Sequence, residues 1–563
     1  MIDNNALANI LFADLDGTVS SGETSYFEEL YPCRDLPQGA FVTRLGPSPT
    51  GFIHLGNLFM AYINMKLARQ SSGRFLLRVE DTDRKREVEG AVESLINSLA
   101  YFDISFDEGV KLASDNCEII EEGNYGPYFQ SARRALYRTF AKKLVEEGKA
   151  YPCFLAEEEI NTLREKQESE KLLTGIYGEY AKYRDVNADE AKRRIDAGET
   201  FVLRLNADAV DTGGSKGETF TIVDGIRGEL TMPKNIMDVV ILKADGLPTY
   251  HFAHAMDDHF MGTTHVIRGE EWLSSLPIHK ALFDALGFDT PVYCHTALLM
   301  KMDGETKRKL SKRMDPELAL SYYIAEGYHP AAIEEYLLTI INSNYEEWRI
   351  ENADADTSEF EMTTEKMGVS GILFDLDKLR NVSANTLVRI PAEALADFMT
   401  NWAKTENPEA FEVYTCERAT LVSALDIGRS GDKPRKDLEY AAQIFDFTSY
   451  FFDEFFTIKE TVPSNIPAED VPVILTDYLA SYNHTDDRST WFDKIREIAV
   501  AHNYAAKPKD FKKNPDQYKG HVGDVSTIIR VALVGRTNSP DVYEIQQILG
   551  EEKVRTRIQA MFA

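Results

Sequence analysis

Two short segments carry residues that could do phosphoryl chemistry. The first is Gly46-Pro47-Ser48-Pro49-Thr50-Gly51-Phe52-Ile53-His54-Leu55-Gly56-Asn57. A strand pattern, Phe41-Val42-Thr43-Arg44-Leu45, precedes it, and helical spacing of Leu58, Tyr62 and Met65 follows it. The loop therefore delivers the chain to a helix N-terminus, where free amide donors and positive dipole face an anion. Gly56 has no side chain, so a flat base can lie against the backbone there. His54 can donate to phosphate oxygens. The second segment is Lys307-Arg308-Lys309-Leu310-Ser311-Lys312-Arg313, after Asp303-Gly304. A basic loop can close over a triphosphate and stabilise charge as the α-phosphate is attacked and pyrophosphate leaves. Alone, such a run is usually a solvated face; paired with the first segment on an α/β framework it reads as chemistry.

Two other constellations compete. Leu11-Phe12-Ala13-Asp14-Leu15-Asp16-Gly17-Thr18 resembles the nucleophile loop of haloacid-dehalogenase-type phosphatases, an apolar strand ending in D-x-D-G-T. No matching downstream lysine and paired aspartates accompany it, so an acidic turn is the better reading. His251, His254, Asp257, Asp258, His259 and His265 have spacings that could ligate a metal, although polar lining of a cleft is commoner.

The elements that must position these groups follow from pattern. Arg74 to Val79 predicts a second strand, ending at Glu80-Asp81-Thr82-Asp83, so strand, turn, helix, strand opens a parallel α/β sheet. Residues 1–40 show little periodicity, and Tyr31 to Pro37 reads as an extended lead-in. Residues 131–200 look helical, short strand patterns return over 201–245, and α/β patterning covers 248–300. Beyond about 315 amphipathic helices dominate, almost exclusively so from Asn381. With 563 residues, 43% of them hydrophobic, the chain holds several domains. A net charge of −30 disfavours a protein that binds chromatin or membranes through bulk positive charge, and by itself counts against nucleic acid. The last 63 residues run the other way, with ten Lys or Arg against seven Asp or Glu. There Lys507, Lys509, Lys512, Lys513 and Lys519 flank Phe511 and Tyr518, a set that fits phosphate contact and base stacking and fits a solvated helix or loop face equally well. The five cysteines are scattered, with no C-x-x-C unit, which predicts free thiols in a reducing compartment. With no signal-type N-terminus and no apolar run long enough to span a bilayer, a cytoplasmic protein is expected.

The two phosphate-directed segments resemble the H-I-G-H and K-M-S-K-S signatures of class I aminoacyl-tRNA synthetases. TRLGPSPTGFIHLGN, LARQSSGRFLLRVEDTDRKREVEGAVESLINSL, DGLPTYHFAHAMDDHFMGTTHVIRGEEWLSSLPIHKALFDALGF and RKLSKR resemble the bacterial glutamyl-tRNA synthetases over much of 41–315. RVALVGRTNSPDVYEIQQILGEEKVRTRI resembles their anticodon-binding end, and ELYPCRDLPQGA a variant with an N-terminal extension. The resemblance implies an α/β, multidomain fold: a Rossmann-like parallel-sheet catalytic domain with an α+β insertion, then an all-α anticodon-binding region. The implied boundaries are an extension at 1–40, a catalytic domain at 41–125 and 248–300, an acceptor-stem insertion at 126–247, a stem-contact region with the KLSKR loop at 301–385, and the helical region at 386–563.

It further implies ATP-dependent joining of L-glutamate to tRNA(Glu) through a glutamyl-adenylate. His54, Lys309 and Lys312 would be catalytic. Gly56 and Ser311 would join them in holding ATP, with Mg²⁺ travelling on the phosphates. Glutamate would meet Arg44, Ser48, Glu80, Tyr250, His254, Arg268 and Trp272, the arginines on its carboxylates and Glu80 on its ammonium. An enzyme that also charges tRNA(Gln) is the nearest alternative. A glutaminyl-tRNA synthetase fits the PSPTG loop less well, and a queuosine-directed paralogue or a non-catalytic RNA binder fits the intact loops and helical tail less well. Members of the family are commonly monomers. Three departures stand out. Gly46 replaces a frequent Ala, which should be tolerated. His254 replaces a frequent Asn, which turns the His-rich segment from a metal candidate into a pocket wall. Cys153, with no cysteine at Tyr177 to Tyr180, predicts no structural zinc, and no metal ligand is assigned.

Overall fold

The structure, a computed structural model, describes residues 3–15, 23–51, 53–113, 118–210, 217–311, 313–429 and 433–562. Two units emerge, one of Met1–Tyr322 with Leu337–Asp375, the other of Tyr323–Tyr336 with Leu376–Ala563. No described helix is long and apolar enough to cross a membrane.

The first unit opens with helices α1 (Asn4–Leu11) and α2 (Thr24–Leu30), where the sequence pattern predicts no element. Asp3 caps α1 by accepting from the Ala6 amide at 3.0 Å, and Leu7, Ala8 and Leu11 are buried. Because α1 is a helix, no strand delivers Asp14. It sits in the turn after α1 and pairs with Arg138 at 2.6 Å, which removes the strand-borne nucleophile loop of the phosphatase reading. Asp16, Gly17 and Thr18 lie outside the described residues.

The sheet that positions the site follows. In order come β1 (Val42–Leu45), α3 (Leu55–Gln70), β2 (Arg74–Leu77), α4 (Ala91–Ala100), β3 (Glu108–Leu112) and β4 (Ile119–Glu122). β1 pairs parallel with β2, and β2 with β3, while β4 runs antiparallel to β3. Every residue of β1 is buried, as a strand covered on both faces requires. An arginine in such a strand, Arg44, is then a chemical exception and not a packing residue.

Helix α5 (Arg134–Glu146) leads into an insertion. It holds β5 (Ala150–Cys153), α6 (Glu157–Ser169), α7 (Ala188–Asp196), β6 (Val202–Leu205), α8 (Ala207–Val210), β7 (Thr219–Asp224), β8 (Gly228–Pro233) and β9 (Val240–Leu242). β5, β6 and β9 form an antiparallel sheet, and β7 with β8 a hairpin. α1 packs on α5 and α7. Cys153 is buried on β5, and Tyr177 meets Tyr180 edge to face at 5.3 Å.

The chain then returns to the sheet with α9 (Tyr250–Phe260), β10 (His265–Gly269), α10 (Leu276–Leu286) and β11 (Val292–Thr296). β10 and β11 are parallel, and the Thr264 amide donates to Val42 O at 3.0 Å, which sets β10 beside β1. The chain order thus reverses between β1 and β10, the place where doubly wound sheets open a crevice at the strands' carboxyl ends. β12 (Leu299–Asp303) and β13 (Thr306–Lys309) form a hairpin, with β14 (Ile372–Leu373) parallel to β12.

The second unit is helical. Trp402, Tyr414, Leu421, Tyr478, Trp491, Ile495, Ile528, Leu533, Ile545 and Ile558 belong to one continuous buried core. Its last helix, Val542–Ala560, breaks its regular geometry at Gly550, where φ is 78°.

Candidate active site

Three strands end at one crevice, and each carries a charged side chain into it: Arg44 near the end of β1, Glu80 just beyond β2, and Arg268 near the end of β10. Tyr250, at the first turn of α9, lies within reach of all three charges, and its ring packs on Trp272 at 4.6 Å. Burial, and next the charge of Glu80, raise the Tyr250 phenol above its ordinary range, so it stays protonated and can donate.

The two arginines differ in what surrounds them. Arg44 is tethered: its Nε donates to Asp258 Oδ1 at 3.1 Å. Asp258 also accepts from Arg78 Nη1 at 2.7 Å and meets His254 Nδ1 at 2.8 Å. Burial opposes the Asp258 charge, but Arg44 and Arg78 hold its carboxyl well below the usual range. Arg268 is 6% exposed, and its partners among the described residues are neutral. Its Nε donates to His295 Nε2 at 3.0 Å, its Nη1 to His279 Nδ1 at 3.0 Å, and its Nη2 to Trp272 O at 3.4 Å. The Tyr293 ring lies 4.7 Å from its guanidinium carbon. Burial lowers the Arg268 pKa from its ordinary value, although a guanidinium keeps its proton at any working pH. A buried cation amid neutral acceptors has charge in reserve for an anion.

Glu80 receives Arg78 Nη2 at 3.2 Å. Burial raises its pKa above that of an ordinary glutamate, against the pull of Arg78 and Arg44. Gly46 faces it: a Cβ there would come within 2.5 Å of Glu80 Oε1. An alanine at 46 is thus accommodated only if the Glu80 carboxylate moves. The resemblance alone suggests simple tolerance, and the local packing adds that condition. Below lies a second buried carboxylate, Asp257, which accepts from Tyr137 Oη at 2.8 Å and Gln130 Nε2 at 2.9 Å and pairs with Arg133 Nε at 2.8 Å.

His254 is fully buried behind Tyr250, with Nδ1 on Asp258 and Nε2 facing Tyr293 Oη at 2.9 Å. Burial lowers its pKa to about 3, so it is neutral. The remaining members of the His-rich segment diverge. His251 Nδ1 meets His279 Nε2 at 3.0 Å, His259 stacks on Phe288 at 3.6 Å, and His265 stacks on Phe41 at 3.5 Å.

The phosphate-directed half is built on α3. His54 is its N-cap, and its amide donates to Asn57 Oδ1 at 3.0 Å. A Cβ at Gly56 would stand 2.9 Å from His54 Nδ1, so the glycine makes room for that ring. Burial lowers the His54 pKa, and the charge of Lys309 lowers it further, which places the two residues in one field although 255 positions separate them. Lys309 is exposed at the end of β13. The loop behind it is anchored by Asp315, which accepts from both Arg308 terminal nitrogens at 2.6 and 2.7 Å and from the Ser311 amide at 2.8 Å. Ser48 is exposed in the loop, and its carbonyl accepts from the Thr50 amide at 2.8 Å. Lys312 lies outside the described residues.

Sequence reasoning missed Arg78, Asp258, His279, His295 and Asp224. Asp258 was visible only within the metal-like spacing, and Arg78 only as a charge inside a strand pattern. It also missed a cavity of about 580 Å³ in the second unit, lined by Arg488, Arg496, Arg530, Trp491, Phe492 and Asp541 among others. The expected basic run lies elsewhere in that unit, with Lys519 paired to Asp470 at 2.7 Å.

Residues 40–380 match the family model described as tRNA synthetases class I (E and Q), catalytic domain, and residues 434–562 match one described as an anticodon binding domain. A glutamate–tRNA ligase of Acetivibrio thermocellus is 54% identical over 561 residues, covering all of both chains. One from Clostridium perfringens is 48% identical, over 98% of this chain and 99% of that one. The crystal structure of a glutamate–tRNA synthetase from Elizabethkingia anophelis superposes with a TM-score of 0.70 at 25% identity, over 92% of this chain and 99% of that one.

Proposed function

The chain belongs to the class I tRNA synthetases of the glutamate and glutamine group, and from that membership we propose that it joins L-glutamate to tRNA(Glu) at the expense of ATP. The observation that carries the choice of amino acid is Arg268, a buried guanidinium whose direct hydrogen-bond partners are all neutral. A substrate with a second carboxylate supplies that compensation, and an amide does not.

In this reading Arg268 and Arg44 take the carboxylates, and Glu80, ionised, takes the ammonium. Tyr250 and Trp272 wall the pocket, Ser48 contributes from the loop, and His254 holds Arg44 in place through Asp258. ATP would be held at the start of α3, with His54, Gly56, Lys309, Ser311 and Lys312 as its binding residues. Mg²⁺ rides on the phosphate oxygens; among the described residues no cluster of three His, Cys, Asp or Glu stands ready to cage it. A glutamate carboxylate oxygen attacks the α-phosphorus, the bond to the β-phosphate oxygen breaks, and pyrophosphate leaves with its charge stabilised by Lys309 and Lys312. A hydroxyl of the terminal ribose of tRNA then attacks the carbonyl carbon, and AMP leaves. The insertion at 126–247 takes the acceptor stem, and the 301–385 region contacts the stem below it. The arginine-lined cavity of the helical region, with Trp491 and Phe492, takes anticodon nucleotides, since arginine and aromatic faces suit unstacked bases. The enzyme acts as a monomer.

The test is charging by the purified chain with labelled glutamate or glutamine, on tRNA(Glu) and on tRNA(Gln). Glutamate transfer to tRNA(Glu) is expected. No transfer of glutamate to either tRNA would overturn the proposal, and equal glutamylation of tRNA(Gln) would widen its substrate range.

A further inference from the structure

Arg268 is held by a chain of groups whose far end lies outside the catalytic sheet. Its Nε donates to His295 Nε2 at 3.0 Å. The other ring nitrogen, Nδ1, meets Asp224 Oδ2 at 2.6 Å. Asp224 is the last residue of β7, in the hairpin of the insertion, and is 2% exposed. Its other oxygen, Oδ1, accepts from the amides of Ile226 at 2.9 Å and Arg227 at 3.0 Å, and the His295 amide lies 3.3 and 3.2 Å from Oδ1 and Oδ2. Arg227 in turn donates from Nε to His295 O at 3.0 Å and from Nη2 to Glu270 Oε2 at 2.5 Å.

The proton positions follow from the chemistry of the ends. A guanidinium has only donors, so His295 Nε2 must be the acceptor, and its proton sits on Nδ1 facing the carboxylate. Burial keeps His295 neutral. For Asp224, burial opposes charge, but the hydrogen bonds from His295 and the turn amides hold its carboxyl below the ordinary value. On the opposite side of the guanidinium His279 Nδ1 accepts by the same logic, so its proton sits on Nε2 and points to His251.

We infer that Asp224 is a positioning residue for glutamate recognition: by fixing the tautomer of His295 it aims the Arg268 guanidinium at the substrate carboxylate. This rests on the reading that Arg268 binds that carboxylate. Asp224 touches no substrate; it acts through His295, as second partners of ligand-holding histidines do elsewhere.

The tautomer logic makes Asp224→Asn the informative change. The Asn oxygen can keep both turn amides and the His295 amide, which lies 3.3 Å from Oδ1, while its NH₂ replaces Oδ2 in front of the His295 ring. A donor there drives the His295 proton to Nε2, where it faces the Arg268 N–H, donor against donor. The glutamate KM in tRNA charging should rise about 10- to 100-fold, the size of one lost hydrogen bond to a charged group, with kcat and the ATP KM within about threefold of wild type. His295→Asn, which reaches the Nδ1 position only, should do the same. His295→Gln sets an amide acceptor at the Nε2 position without a tautomer, so adding Asp224→Asn to it should change the glutamate KM little further. A merely structural aspartate would not show that loss of effect in the Gln background, and would move kcat, the ATP KM and the unfolding midpoint together.

Arg268→Ala separates the two claims. If it leaves the glutamate KM unchanged, the carboxylate reading fails, and this inference with it. If it raises the glutamate KM while Asp224→Asn and His295→Asn do not, the positioning role alone is wrong.

Discussion

Replacing Arg268 with lysine keeps the charge and removes the fork. In the native site three guanidinium nitrogens serve three different acceptors, at 3.0, 3.0 and 3.4 Å, and Tyr293 stacks at 4.7 Å. A lysine ammonium is one nitrogen. It cannot face His295, His279 and a substrate carboxylate together, so the bidentate contact with substrate becomes at best a single one. One lost hydrogen bond between charged groups is worth about 1.5–3 kcal/mol. At about 1.4 kcal/mol per decade that corresponds to a roughly 10- to 100-fold rise in the glutamate KM. His295 Nε2 and His279 Nδ1 also lose their donor, which adds to the loss. The assay is steady-state charging of tRNA(Glu) at saturating ATP and tRNA, with the ATP KM as internal control. A glutamate KM within threefold of wild type, with the variant folded, would refute the assignment of Arg268 to the carboxylate.

Other consequences are open to direct test. Lys309→Ala should slow pyrophosphate exchange about 10²- to 10³-fold, the scale of one lost electrostatic stabiliser, while the glutamate KM stays within threefold; an unchanged exchange rate would remove Lys309 from the phosphate site. Acid should unfold the first unit early. His54, His251, His254, His259, His265, His279 and His295 all have pKa values lowered, chiefly by burial, those of His254 and His265 to about 3 and about 4. Between about pH 6.5 and those values the unfolded chain binds protons that the folded chain refuses, so stability is full above pH 6.5 and falls as pH drops. Each such group contributes on the order of 1.4 kcal/mol per pH unit within its window, and urea midpoints at pH 7.5 and 5.5 should therefore differ clearly; equal midpoints would contradict neutral buried imidazoles. Glu80 should titrate above the ordinary glutamate range because it is buried, so the glutamate KM should climb on acidification before exposed carboxylates protonate, and Glu80→Gln should abolish that climb. Arg530→Ala, in the cavity of the helical unit, should raise the tRNA KM and leave the glutamate KM alone; an unchanged tRNA KM would move the anticodon elsewhere.

The legible parts of this molecule are those where local chemistry forces geometry. The Pro-rich loop from Leu45 to His54 announces a strand-to-helix turn, and the structure ends β1 at Leu45 and starts α3 at Leu55. The helical tail is legible from periodicity over its whole length. The net charge misled in the opposite direction: −30 argued against nucleic acid, while the motifs argued for tRNA and the family match agrees with them. What sequence could not show is the set of partners brought in from far along the chain. Asp258 reaches Arg44 across 214 positions, and Asp224 reaches His295 across 71, so no window of periodicity contains either pair. Helix α1 escaped because its short amphipathic stretch is stabilised by Asp3 and by packing on α5 and α7, not by its own pattern. The His-rich spacing fits a metal or, more commonly, a cleft lining, and cannot show that both ring nitrogens of His254 are engaged by Asp258 and Tyr293.

On the proposed reading, a buried guanidinium whose direct partners are all neutral selects a side-chain carboxylate. The direct measurement is the ratio of kcat/KM for glutamate to that for glutamine in charging of tRNA(Glu) by the unmodified enzyme. An amide in that position leaves the Arg268 charge buried without a counter-ion, so a ratio of roughly 10³ or more is predicted. A ratio near one would contradict the account.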